Sequence, residues 1–314
     1  MYYGVALIRE NAIVPRLHRF LLIPIPYRSC IVAAVLLGAV IAAPVPSPAG
    51  ATGRGAAAPL LETITIDGTT FAASLPSVVN AGLVKVVLSQ DGNTFTAVDI
   101  SLLKPGVTQA QFTRALHQPA SSIEGDLYRF TDTFIGGTGG AMRGVLLRLK
   151  PGHYVAYDVE SVGTGLPRVG TVFFTVTGSA SSAGRTLQPP SIATVQALDG
   201  RFVLPPTASS GSRTLKVANL GKFEHHMVLY RVRQGVTFAV AIAALETGKQ
   251  SAANPPVDYI GYAGVLSPGR VEWSLVTLTP GRYLVASFVT DVRTGKTDAS
   301  EGMVAGFTVT LPRA

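Results

Sequence analysis

The stretch Gly221–Thr237, GKFEHHMVLYRVRQGVT, decides the fold when set beside a second one, Pro280–Met303, PGRYLVASFVTDVRTGKTDASEGM. The first reads as a β-strand leading into a Gly235-x-Thr237 turn. Val240, Ala244 and Leu245 beyond it read as a helix that lays its apolar residues on one face of a sheet. In the second, Pro280-Gly281-Arg282-Tyr283 opens a strand, and Gly295 to Met303 forms a hairpin before the last strand.

The same punctuation occurs earlier in the chain. Moving 129 residues toward the N-terminus puts Gly221 on Gly92 and Gly211 on Gly82, with Leu204-Pro205 on Leu75-Pro76. The same shift places Gly235-Val236-Thr237 on Gly106-Val107-Thr108 and Pro280-Gly281 on Pro151-Gly152. Turn glycines and prolines at one fixed offset mark a domain-sized repeat, a tandem pair and not a solenoid. Short runs rich in Val, Thr and aromatics fill the first copy: Thr63–Ile66, Val84–Leu88, Phe95–Leu103, Val145–Leu149, Tyr154–Val159 and Thr171–Val176. That rhythm predicts an all-β sandwich. Thr108 with Gln111 makes a capping box, which predicts a short helix over Thr108 to His117. The glycine-rich Gly136 to Gly144 lacks the spacing of a phosphate cradle and reads as a flexible loop.

Composition agrees: charged residues are only 14% of the chain, against 33 glycines and 21 prolines. The formal charge of +8 comes partly from Arg9, Arg16, Arg19 and Arg28 near the start, and elsewhere the basic residues are scattered. Nucleic-acid binding needs a basic stripe with interleaved aromatics, so it is not expected. Residues 1–51 read as an export leader. Ile31 to Ala43 is an apolar run too short to span a bilayer, followed by prolines and the small-residue cleavage candidate Ala49-Gly50-Ala51. An extracytoplasmic, secreted protein follows, with membrane contact only if the leader stays uncleaved. Cys30, the one cysteine, lies inside that leader. Its removal leaves no disulfide and no thiolate metal site.

Residues 190–314, and more faintly 60–178, resemble the secreted bacterial cupredoxin-like (plastocyanin-type) domains. Asn219, Gly221 and His225 match that family's N-x-G-x-x-x-H strand. Gly235 and Thr237 match its G-x-T turn, Pro280 to Tyr283 its P-G-x-Y strand, and Gly295 to Met303 its final hairpin. The resemblance implies two Greek-key β-sandwiches in tandem, joined by a linker at 179–189, with short helices in loops. It also implies a former type 1 copper site, which needs two imidazoles, a thiolate and a weak axial thioether. His225 and Met303 stand at two of those positions. Ser287 stands where the thiolate belongs and Asp298 where the second histidine belongs. A serine hydroxyl cannot replace a thiolate for copper. In the first copy the same positions fall on Thr96, Asp158, residues Leu166 to Arg168 and Thr171, none of them a useful ligand.

Neighbours on a strand point to opposite faces, so only one of His225 and His226 can look into the old site. Two roles stay open there. Either the polar residues hydrogen-bond one another, leaving a protein without cofactor, or His225, His226, Asp298 and Met303, helped by Glu224 or Glu301, hold Cu or Zn weakly. His225, Ser287 and Asp298 are also the residue types of a hydrolytic triad, but no G-x-S-x-G elbow accompanies them. Tyr259, Tyr262 and Trp273 read as core and rim, with a partner surface as the alternative. A non-enzymatic binding or structural protein is the expectation, its partner an extracellular protein or a cell-surface ligand.

Overall fold

In the computed structural model the described residues are 61–76, 78–89, 95–117, 127–160, 168–178, 188–249, 254–291 and 294–312. The leader, Gly92, Leu166 and nearly all of the expected linker lie outside them. Each apolar run becomes a strand with alternate residues inside. In β1 (Glu62–Asp67) Ile64 and Ile66 are fully buried, and in β10 (Ala193–Leu198) Val195 and Ala197 are.

The first half continues with β2 (Ala73–Ser74), β3 (Val79–Asn80), β4 (Gly82–Ser89), β5 (Ala97–Leu103), helix α1 (Gln109–Leu116), β6 (Thr131–Gly140), β7 (Gly144–Leu149), β8 (Gly152–Glu160) and β9 (Arg168–Thr177). The second half repeats the order. Its elements are β10, β11 (Arg201–Val203), β12 (Thr207–Ser209), β13 (Gly211–Asn219), β14 (His225–Val232), helix α2 (Phe238–Thr247), β15 (Val257–Leu266), β16 (Val271–Leu278) and β17 (Gly281–Ala286). A small hairpin, β18 (Thr290–Asp291) with β19 (Lys296–Thr297), a 3₁₀ turn (Asp298–Glu301) and β20 (Val304–Thr310) complete it. Registers repeat as well: β1 runs parallel to β4 with Glu62 beside Val84, and β10 parallel to β13 with Ala193 beside Leu215. The fold is all-β, a Greek-key sandwich in each half. The chain crosses between sheets from β4 to β5, from β6 to β7 and from β7 to β8.

The halves do not sit as separate beads. One sheet runs β11-β10-β13-β16-β7-β4-β1-β2 and the other β12-β20-β17-β14-β15-β6-β5-β8-β9-β3. Read from either edge, equivalent strands come in the same order, the arrangement of a two-fold dimer built into one chain. The seams are the antiparallel pairs β16–β7 and β15–β6.

Between the sheets lie two cores. One is built on Ile64, Val86, Leu88, Ile135 and Tyr154, the other on Val195, Leu215, Met227, Tyr283 and Met303. The capping box forms as expected: Gln111 N–H donates to Thr108 Oγ1 at 3.2 Å and Thr108 N–H to Gln111 Oε1 at 2.8 Å. The helices cover the outer face of the ten-stranded sheet, α1 through Phe112 and Leu116, α2 through Ala241 and Leu245. Ala244 and Leu245 are buried as expected, but Val240 is 57% exposed, because the buried stripe of α2 runs through Ala241 instead. The two P-G-x-Y motifs do the same work. Tyr154 and Tyr283 each donate a phenolic hydrogen to the carbonyl four residues back, at 2.8 Å to Lys150 and 2.9 Å to Thr279.

The glycine-rich segment departs from expectation. Gly136 to Gly140 is the end of β6, buried at the centre of the larger sheet, and no loop. A Cβ on Gly137 would meet the Val98 carbonyl oxygen at 2.1 Å, and one on Gly264 the Gly137 nitrogen at 2.2 Å. Glycine at 264 lets the backbones of the two halves approach where they join, and glycine at 137 lets β6 lie close on β5 of its own half. Two carboxyl groups, Glu272 fully buried and Asp99 partly so, reach across the same seam. Asp99 accepts from Tyr262 Oη at 2.9 Å and Val265 N–H at 3.1 Å, while Glu272 accepts from Gly137 N–H at 2.9 Å and Ser274 Oγ at 2.7 Å. Burial raises Asp99 to about 6 and Glu272 to about 8, against the pull of these hydrogen bonds.

Candidate functional site

Three elements of the second half converge at one end of the sandwich: the start of β14, the end of β17 and the 3₁₀ turn. His225 begins β14 on the face that carries Met227 and Leu229 into the core. Ser287 follows β17 directly and is fully buried. Asp298 opens the 3₁₀ turn, which Thr297 caps by accepting from Ser300 N–H at 3.3 Å.

These three meet on a single atom. Asp298 Oδ2 lies 2.8 Å from His225 Nδ1 and accepts the Ser287 hydroxyl hydrogen at 2.6 Å. Ser287 Oγ in turn accepts from His226 N–H at 3.4 Å. The other ring nitrogen of His225, Nε2, lies 3.2 Å from Asp199 Oδ1. Burial would lower the pKa of His225, but Asp298, and after it Asp199, outweigh burial and raise it. Both ring nitrogens are thus aimed at carboxylate oxygens, the arrangement that suits an imidazolium donating from each and leaves neither turned toward a metal.

His226 points the other way, edge-on to Tyr262 at 5.3 Å on the helix-covered face. Phe288 N–H donates to its Nε2 at 2.8 Å. Burial depresses His226 to about 4, and the nearby His225 also lowers it while Asp298 pulls it up. It is therefore a neutral ring whose acceptor nitrogen is engaged. Met303 is fully buried in the second core, and its carbonyl accepts from Ser287 N–H at 3.3 Å. Of the acidic helpers, Glu224 accepts from Ser267 Oγ at 3.4 Å and Glu301 is exposed; neither is in hydrogen-bond contact with His225. Among the described residues no three His, Cys, Asp or Glu side chains group so as to hold a metal ion.

The donor set does not fit type 1 copper: Ser287 offers a hydroxyl and no thiolate, Asp298 a carboxylate and no imidazole, and His225 is locked between two carboxylates. Nor is it ordered as a hydrolytic triad. The serine proton goes to the carboxylate and not to the imidazole, so histidine cannot act as its base.

Asp199 is the member that the sequence reading did not find. It sits in the Asp199-Gly200 turn between β10 and β11, where its signal is that of any hairpin turn. Besides His225 it accepts from Lys222 N–H at 2.8 Å and Phe223 N–H at 3.3 Å. Gly221 makes room for it: a Cβ there would meet Asp199 Oδ1 at 2.4 Å and His225 Nε2 at 3.0 Å. Asn219, fully buried, holds the connecting loop by donating to the Phe223 and Leu266 carbonyls, both at 2.7 Å, and accepting from Gly221 N–H at 2.9 Å. The N-x-G-x-x-x-H pattern thus describes one hydrogen-bonded loop. In the first half Asp158 stands in the place of Ser287 and accepts from Ala97 N–H at 3.2 Å, and Thr96 stands in the place of His225.

No protein-family model matches the chain, and a search of curated proteins finds no match. Solved structures do match. An auracyanin from the photosynthetic bacterium Roseiflexus castenholzii is 18% identical, covering 37% of this chain and 94% of its own, with a TM-score of 0.25. Auracyanin B is 24% identical over 40% of this chain and 92% of its own, again at 0.25. A copper nitrite reductase from Nitrosomonas europaea is 10% identical, covering 79% of this chain and 93% of its own, at 0.23. At such scores these likenesses carry no argument, and what the strand order itself shows is an all-β protein with a two-sheet Greek-key sandwich in each half.

Proposed function

We propose that this chain is a secreted, non-enzymatic binding or structural protein made of two cupredoxin-like halves, in which hydrogen bonds have taken the place of a copper site. The observation that carries the reading is the double use of Asp298 Oδ2, by His225 and by Ser287. A buried polar group is stable when its partners are all present, and here the former ligand positions satisfy one another. Export rests on the leader at 1–51, and among the described residues no helix is long and apolar enough to cross a membrane. An extracellular protein or a cell-surface ligand is the partner this reading calls for.

Metal analysis of protein purified without a histidine tag tests it. Copper and zinc well below one equivalent, and a colourless solution, are expected. One tightly held equivalent of either metal would instead establish the residual site of His225, His226, Asp298 and Met303. Treatment with a fluorophosphonate should label no residue; labelling abolished by Ser287→Ala would make the protein a hydrolase.

A further inference from the structure

At the far end of β14, six residues and about 20 Å from His225, lies a polar cleft of about 450 Å³. Arg231, Arg233 and Arg282 line it, together with Gly235, Asp258 and Gly281. We propose that this cleft binds a phosphate-type dianion, free or carried on a larger molecule.

Three arginines and one carboxylate, Asp258, line the cleft, which leaves it two positive charges in excess. That matches the charge of a phosphate monoester near neutral pH. Each guanidinium is also held in place. Arg231 donates from Nη2 to the Pro280 carbonyl at 3.0 Å and lies over Gly281, where a Cβ would come within 3.2 Å of its Nε. Arg233 directs Nε and Nη2 at Asp258 Oδ1, both at 2.7 Å. Arg282 donates to the Val236 carbonyl and sits 5.6 Å from the centre of the Phe238 ring. A guanidinium has five N–H donors, so each keeps several for a ligand, already oriented. Pre-organisation of this kind lowers the entropy lost on binding.

The fold does not require these residues. At the equivalent positions of the first half, 129 residues earlier, stand Leu102, Lys104 and His153. Leu102 is buried in the core and Lys104 Nζ is engaged by the Tyr128 carbonyl at 2.9 Å. Only the second half carries three arginines there.

Titration of the full chain with inorganic phosphate and with glycerol 2-phosphate, at constant ionic strength, is the test. Calorimetry reads the affinity, and acetate serves as the monoanion control. Saturable one-to-one binding of a phosphate is expected, weakened roughly tenfold or more by Arg231→Gln or Arg282→Gln and unchanged by Arg213→Gln, an exposed position near the start of β13. Asp258→Asn should tighten binding, an effect that loss of structure cannot imitate. Preference for the monoester over inorganic phosphate identifies the carried form, and the reverse the free ion. Absence of saturation, or equal affinity in the wild type, Arg231→Gln and Asp258→Asn, overturns the proposal.

Discussion

His225 and His226, adjacent in the chain, have opposite electrostatic fates. His225 is held protonated by two carboxylates, so its pKa is raised from 6.5. Its contribution to stability is complete below that value and is lost as pH rises through the folded-state pKa. His226 is neutral and depressed to about 4. Its contribution is complete above 6.5 and is lost as pH falls toward 4, roughly 1–3 kcal/mol after allowance for partial exposure. Proton NMR of the imidazole rings should find one titrating above and one well below the ordinary histidine value. Asp298→Asn should bring the upper one down and leave the lower one below the ordinary value. A His225 that titrates below 6.5 in the wild type would contradict the imidazolium described above. Strand alternation made the split between the two rings legible in the sequence, since only one face of β14 looks toward the ligand positions. Asp199 was not legible, because a turn aspartate looks the same whether or not a histidine reaches it.

Among the elements, β6 is where the sequence misled and where the reason is most physical. A run such as Gly136-Gly137-Thr138-Gly139-Gly140 has no side chains with which to declare a strand, so its high glycine content reads as a loop. What the glycines accommodate is close approach on both sides, β5 against Gly137 and Gly139 and residues of the second half against Gly136 and Gly140, contacts that no local pattern records. The helix after Thr108 was legible for the converse reason: its capping box is wholly local. Gly137→Ala or Gly264→Ala should each cost about 1–3 kcal/mol or more, because the added methyl meets backbone and not a movable side chain. Gly106 offers the contrast. It has φ of +81° and nothing within 4 Å of a new Cβ, so Gly106→Ala should cost only about 1 kcal/mol from backbone strain. Urea denaturation of the three variants checks the ranking; equal costs would mean that the seam is looser than described.

On the scale of the whole molecule, the recurring glycines and prolines are legible in the chain, but the pairing of β16 with β7 and of β15 with β6 is not. Offsets between equivalent glycines report that a unit recurs, not which edges of the two units pair. The seams join both sheets, and Trp273 of the second half packs with Leu83 and Leu146 of the first. The halves should therefore unfold together, in one transition with calorimetric and van't Hoff enthalpies in agreement. Ile64→Ala, in the first core, should lower the midpoint seen by Trp273 fluorescence as much as that seen by circular dichroism. Glu272 makes the joint sensitive to pH. Its carboxyl is raised from 4.5 to about 8 by burial, so its contribution is complete below 4.5 and is lost as pH rises through 8. Asp99, raised to about 6, acts in the same sense over a lower range. Between pH 5 and 9 the wild type should lose roughly 3–5 kcal/mol through Glu272. Glu272→Gln, uncharged throughout, should flatten that slope between about pH 5 and 8 and be the more stable protein at pH 9. Should the variant keep the wild-type slope, the alkaline loss has another source and the seam is not what ionisation opens.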